Sequence, residues 1–132
     1  MSSISGATVA RYMTRTPHTV AAEQPLERAH EMMRKYNIRH LPVLHGGKLL
    51  GVVSNRDLYF VETMKDVDPA ELTIDEAMTA DPYVADAETP LAEVAKTMAD
   101  RHLGCAIITE NDKVVGIFTT VDALRAVADA AR

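Results

Sequence analysis

Two short constellations in this 132-residue chain have the makings of a binding site. Ser54-Asn55-Arg56-Asp57 follows the apolar run Gly51-Val52-Val53, and Thr119-Thr120-Val121-Asp122 follows Gly116-Ile117-Phe118. Each places a hydroxyl where an extended run gives way to a helix, and a carboxylate three residues on. The first N–H groups of a helix lack internal partners and lie at the positive end of its dipole, so a hydroxyl there helps to hold phosphate. A carboxylate one turn later would repel phosphate, but it accepts both hydrogen bonds from vicinal ribose hydroxyls. The two groups together describe a nucleotide site, written twice. Arg56, beside Ser54, suits phosphate oxygens. A plainer reading makes Ser54 and Thr119 helix caps, with Asp57 and Asp122 answering the dipole.

Other chemistries find little support. Asp57 and Asp122 belong to separate constellations and no nucleophile accompanies either, so no catalytic residue is assigned and no enzyme is expected. Cys105 near His102 resembles a reactive pair, yet it sits in an apolar strand, as a buried structural thiol does. Five histidines and one cysteine show no metal-ligand spacing, and no Gly-rich phosphate loop is present. Net charge is −5, from 14 Lys and Arg against 19 Asp and Glu. That argues against broad binding to nucleic acid or anionic membrane. Hydrophobic residues at 47% and charged residues at 25% describe a globular protein. No apolar run reaches the roughly 18 residues of a membrane span. Residues 1–6 lack the blocks of a signal peptide, and one cysteine permits no internal disulfide, so a cytoplasmic location is expected.

The elements that must position these residues repeat at a spacing of 65. Met13-Thr14 returns as Met78-Thr79, Pro17 as Pro82, Pro25-Leu26 as Pro90-Leu91, Met33 as Met98, and Gly51 as Gly116. Between Val9–Tyr59 and Ile74–Leu124 no gap is needed, and 11 of 51 paired positions are identical. In the first copy, Thr8 caps a short helix through Met13, and an extended piece lies at His18–Ala21. Pro25 opens a helix with Leu26, Ala29, Met33 and Tyr36 on one face, ended by Asn37. Arg39–Leu44 and Leu49–Val53 form a hairpin around Gly46-Gly47, and a helix follows over Asn55–Met64. Residues 65–73 read as a polar linker, and residues 1–7 as a loose tail. The second copy repeats the order: a short helix at Ile74–Met78, an extended piece near Tyr83-Val84 and a helix from Pro90. A hairpin of Cys105–Thr109 and Val114–Phe118 and a last helix at Thr120–Ala131 complete it. A unit of about 50 residues buries little alone, so the copies are expected to fold against each other.

The unit order, the strand Ile38-Arg39-His40-Leu41-Pro42-Val43 and the paired Gly-h-h-Ser/Thr-x-x-Asp endings (h, apolar) resemble those of a CBS-domain pair, or Bateman module, over about residues 8–128. The first copy is also similar to small stand-alone bacterial CBS proteins of the acetoin-utilisation type. The resemblance implies an α/β (α+β) fold of two tandem CBS motifs, each β-α-β-β-α, packed with pseudo-two-fold symmetry. Motif 1 then covers 8–64 and motif 2 covers 74–128. It implies a regulatory module that binds adenine nucleotides or related adenosyl compounds in clefts between the motifs and signals to a separate, unidentified protein partner. AMP, ADP or ATP head the ligands, with NAD(H) or S-adenosylmethionine as further options. No cofactor or metal is required. The alternative is a dimerisation module with vestigial sites.

By position, Ser54 and Thr119 match the phosphate-facing hydroxyl, and Asp57 and Asp122 the ribose carboxylate. His18, Thr19 and Val20, and likewise Tyr83, Val84 and Ala85, match segments whose backbone holds adenine. Arg39, His40, Leu41 and Pro42 match the cleft-lining strand, as do Cys105, Ala106 and Ile107. Arg39 and His40 alternate, so at most one faces a given cleft. The family commonly forms homodimers through its helices, with Met32, Met33, Ala95 and Met98 as candidate contacts. The second copy departs from the pattern, with Ile107 for Pro42 and Val121 for Arg56. The basic excess of the first copy therefore predicts a phosphate-holding site there, and a less charged adenosyl ligand or none in the second.

Overall fold

The computed structural model describes residues 4–64 and 66–132; expectations for residues 1–3 and for Lys65 lie outside them. The chain divides into two compact units that do not coincide with the sequence copies. The first-copy unit is His18–Pro82. The second-copy unit joins Tyr83–Arg132 to the described residues up to Pro17.

In the first-copy unit, β2 (Val20–Ala21) leads to helix α1 (Leu26–Tyr36), strands β3 (His40–His45) and β4 (Lys48–Ser54), helices α2 (Asn55–Glu62) and α3 (Ile74–Ala77), and β5 (Thr79–Ala80). The sheet order is β2-β3-β4-β5, with β2 parallel to β3 and the other pairs antiparallel. Helix α1 buries Leu26, Ala29, Met32 and Met33 against Leu41, Val43 and Val53, and α2 adds Leu58 and Val61. The linker is not free: Val67 and Leu72 pack on this core, and the Leu26 N–H donates to the Leu72 carbonyl at 2.8 Å.

The second-copy unit begins with a 3-10 turn at Val9–Arg11 and β1 (Thr14–Arg15). It continues with β6 (Val84–Asp86), α4 (Leu91–Asp100), β7 (Cys105–Glu110), β8 (Lys113–Thr119) and α5 (Thr120–Ala130). Its sheet order is β1-β8-β7-β6. Phe118, Ile108 and Ala106 from the hairpin meet Leu91, Val94 and Met98 of α4.

The 65-residue register holds in the backbone. Left-handed residues recur in pairs: Thr16 with Asp81, Asn37 with His102, and Gly46-Gly47 with Asn111-Asp112, all with φ between 50° and 83°. Both hairpin turns therefore carry two central residues at positive φ, matching the strand twist. Both hairpins slip register at the same place, after Val43 and after Ile108.

The short strands β1 and β5 were not foreseen. The Met-Thr segment that opens each copy pairs with the hairpin of the other: Thr14 stands opposite Ile117, and Thr79 opposite Val52. One expectation is corrected here. Met32, Met33 and Met98 lie in the cores, each under one-tenth exposed, so they are not free to make contacts between molecules. Exposed large apolar groups instead include Tyr59, Phe60 and Met64 on and after α2, and Val121, Leu124 and Val127 on α5.

Candidate functional site

Both Ser54 and Thr119 are N-caps in extended conformation, and each forms a reciprocal capping box with the aspartate three residues on. In the first-copy unit the Ser54 N–H donates to Asp57 Oδ2 at 2.8 Å, the Ser54 hydroxyl donates to the same oxygen at 3.0 Å, and the Asp57 N–H donates to Ser54 Oγ at 3.2 Å. Asp57 Oδ1 accepts no hydrogen bond from any described residue. Arg56 is exposed beside it.

The second-copy unit uses its carboxylate differently. Asp122 is 2% exposed. Its Oδ2 accepts from the Thr119 N–H at 2.9 Å and from the Thr119 hydroxyl at 3.2 Å. The Thr14 hydroxyl of β1 donates to Oδ1 at 3.2 Å, and Arg125 Nη1 reaches the same oxygen at 3.3 Å. The matching first-copy residues are Thr79, which makes no such bond to Asp57, and Phe60, which has no donor to offer. Asp57 keeps an open oxygen; Asp122 has spent both.

A second difference lies in the extended segments. The Ile107 N–H donates to the Tyr83 carbonyl at 2.9 Å, and β6 gains the pair Val84–Ile107. At the equivalent place Pro42 has no N–H, the ladder starts one pair later at Val20–Val43, and no backbone donor among the described residues meets the His18 carbonyl. Val20, Leu41, Ala85 and Ala106 are buried in the helix-packed cores, so only their backbone is offered outward. Pro42, Cys105 and Ile107 are buried too, on the sheet face opposite those cores. Thr19 and Tyr83 are half-buried, while Val84 and Arg39 are exposed. His18 is exposed, and its ring stacks on Tyr36 with centroids 3.7 Å apart and planes 13° from parallel. Tyr36 reads in sequence only as a core-facing helix residue; the aromatic pair appears once the fold brings β2 beside α1.

His40 stands opposite Ser54 in the hairpin ladder. Burial pushes its imidazole below the ordinary value of 6.5; the Asp57 charge opposes this and the Arg39 charge adds to it. The unfolded chain then binds this proton more readily than the folded one, so His40 makes stability fall as pH drops through about 6.5. Thermal melts from pH 8 to pH 5 should show a smaller acid loss in His40→Gln than in the parent, and equal losses would remove His40 as the cause. Cys105, buried, has its thiol pushed up to about 12, which keeps it neutral and unreactive. Among the described residues no group of three His, Cys, Asp or Glu side chains could hold a metal, and no helix is long and apolar enough to cross a membrane.

Two capping boxes at equivalent places in a repeated strand-helix-hairpin-helix unit make the chain a tandem pair of one motif. The CBS domain family signature matches residues 9–61 and 74–129, and the chain belongs to that family. Among solved structures it is similar to an acetoin utilization protein (AcuB) from Vibrio cholerae: 32% identity, TM-score 0.83, 92% of this chain and 90% of that one. The CBS domain pair of protein MJ0100, solved with 5-methylthioadenosine and S-adenosyl-L-methionine, gives 26% identity and TM-score 0.84 over 93% of this chain and 97% of that one. CBSX2, solved with AMP, gives 25% and 0.84 over 96% and 100%. The curated relatives that match first are far longer, and the chain spans only 22%, 22% and 13% of their lengths.

Proposed function

We propose that this chain is a regulatory module whose first-copy site binds an adenine nucleotide and reports its level to a separate protein. The observation that carries the reading is the open Oδ1 of Asp57 beside a helix N-terminus, against the filled carboxylate of Asp122. Asp57 accepts the ribose hydroxyls; Ser54 and Arg56 meet phosphate. The His18 carbonyl, free of the bond that occupies Tyr83, accepts from the adenine amino group. The adenosyl ligands of MJ0100 and CBSX2 support the ligand class. The second-copy site takes an uncharged adenosyl ligand or none. Exposed Tyr59 and Phe60 on α2, and Leu124 and Val127 on α5, favour a homodimer.

Calorimetry with AMP and with 5-methylthioadenosine tests this. Arg56→Ala should weaken AMP about 10- to 100-fold, the loss of one charge-assisted hydrogen bond, and leave methylthioadenosine unchanged. Unchanged AMP affinity in that variant removes Arg56 from the site. A thermal-shift panel covers the rival of a pure dimerisation module: a ligand at 100 times its Kd adds about 2.7 kcal/mol, and no shift with any adenosyl compound at millimolar levels would favour the rival.

A further inference from the structure

In each copy a ring contact ties the segment leading into the first parallel strand to the end of the following helix. His18 and Tyr36 recur 65 residues on as Tyr83 and Arg101. In the first-copy unit the His18 ring stacks on Tyr36, with centroids 3.7 Å apart. In the second-copy unit the Arg101 guanidinium lies over the Tyr83 ring, 5.6 Å from its centre. Neither position keeps its residue type between the copies, yet the contact is made in both.

The helix end is the fixed side of this tie. Tyr36 is the last residue of α1, Asn37 after it is left-handed, and the Ile38 N–H donates back to the Met33 carbonyl at 3.1 Å. The end of α4 closes alike: left-handed His102 follows Arg101, and the Leu103 N–H donates to the Met98 carbonyl at 2.8 Å. Such a closure meets carbonyls that the helix leaves open. Met33 and Met98 are buried, so each closure is anchored in its unit's core.

The strand side of the tie differs between the copies. The Tyr83 carbonyl accepts from the Ile107 N–H at 2.9 Å, and the ladder begins at the next residue, Val84. Pro42 offers no N–H, and the first-copy ladder begins at Val20, two residues after His18. The carbonyl left open for a ligand is thus the one that lacks a ladder bond to steady it. An open acceptor is useful to a ligand only when it is held still, because ordering it on binding costs affinity.

We propose, building on the first-copy nucleotide reading, that Tyr36 is a positioning residue that sets the selectivity of that site for adenine. It acts through His18. The stack holds the His18 ring against the closed end of α1, and so aims the His18 carbonyl at the exocyclic amino group of the base. The stack takes over the task that the ladder bond performs at Tyr83. Arg101 has no such duty, because the Ile107 N–H already fixes and fills the Tyr83 carbonyl.

Calorimetry with AMP and with purine riboside monophosphate, which carries hydrogen in place of the amino group, reads the selectivity. The parent should prefer AMP about tenfold, the worth of one neutral hydrogen bond. Tyr36→Ala should cut that preference to about threefold or less while leaving purine riboside monophosphate within about twofold of the parent. Tyr36→Phe keeps the stack and should keep the preference. NMR relaxation of the ligand-free protein reads the tie without a nucleotide. Backbone order at His18 and Thr19 should fall in Tyr36→Ala, and order at Tyr83 and Val84 should hold in Arg101→Ala. Unchanged order in Tyr36→Ala, an equal loosening in Arg101→Ala, or an AMP preference that survives Tyr36→Ala overturns the proposal and leaves the nucleotide site standing. A preference lost equally in Tyr36→Phe overturns it too, since the hydroxyl and not the stack would then be at work. A parent that shows no preference for AMP, with order falling as expected, removes the nucleotide reading itself and the role of Tyr36 in base selection with it.

Discussion

Asp57→Asn is expected to weaken AMP about 10- to 100-fold with only a small fall in Tm, while Asp122→Asn is expected to lower Tm by roughly 10 °C and leave AMP affinity nearly unchanged. The two aspartates hold equivalent places in the repeat, and their neighbours in the fold separate them. Asp57 gives one oxygen to its own helix cap and keeps the other open. An amide there still offers a carbonyl, but it loses the charge that strengthens a bond from ribose, worth about 1.5–3 kcal/mol. The cap itself contributes about 1 kcal/mol and survives in part, because Asn also caps well.

Asp122 is in the opposite position. It is buried, with Thr14, Thr119 and Arg125 all donating to it. An amide in its place turns an acceptor into a donor facing a donor. Whichever way the amide turns, its NH2 faces either the Thr119 N–H or Arg125, and a buried polar group left unmet costs about 1–3 kcal/mol. For a chain of this size each kcal/mol moves Tm by roughly 3–6 °C. Differential scanning fluorimetry and AMP calorimetry on both variants decide the matter. Loss of AMP binding in Asp122→Asn with retention in Asp57→Asn would reverse the assignment of the two sites.

Much of this fold is readable from the residues. Gly46-Gly47 and Asn111-Asp112 announce their hairpins because few other residue types reach positive φ twice in succession. Pro25 and Pro90 sit immediately before helices α1 and α4, as an absent N–H allows. The helix-strand order follows from periodicity alone. The strand exchange does not. Thr14–Arg15 and Thr79–Ala80 are two residues long, too short for alternation to show, and their partners lie in the other copy. At the site, the hydroxyl and carboxylate pairs are visible as a pattern, and so is the imbalance between Arg56 and Val121. The filling of Asp122 is invisible, because Thr14 is 108 residues away and Arg125 reads as an ordinary surface residue of α5. The substitution of Ile107 for Pro42 stands out in sequence, but its meaning, one N–H gained and one carbonyl occupied, needs the ladder.

The exchange of opening segments makes the repeated glycines the most sensitive positions in the hairpins, and unequally so. A methyl group on Gly51 would fall against the backbone carbonyl oxygen of Thr79 and 2.8 Å from Met78 Sδ. On Gly116 the nearest atoms it would meet belong to the side chain of Met13, Sδ and, 2.9 Å away, Cγ. A thioether chain can swing aside; a carbonyl held in the β4–β5 pairing cannot move without breaking that pairing. Overpacking costs about 1–3 kcal/mol and more where backbone must shift, so Gly51→Ala is expected to lower Tm by 10 °C or more and Gly116→Ala by about half as much. Truncating the methionines sharpens the contrast. In a double-mutant cycle, Met13→Ala should recover most of the Gly116→Ala loss, because it removes the nearest atoms in the way. Met78→Ala should recover little of the Gly51→Ala loss, because the Thr79 carbonyl remains. Equal recovery in the two cycles would mean that both segments rest on side-chain packing alone, and that the β4–β5 pairing contributes nothing to holding Met78-Thr79 in place.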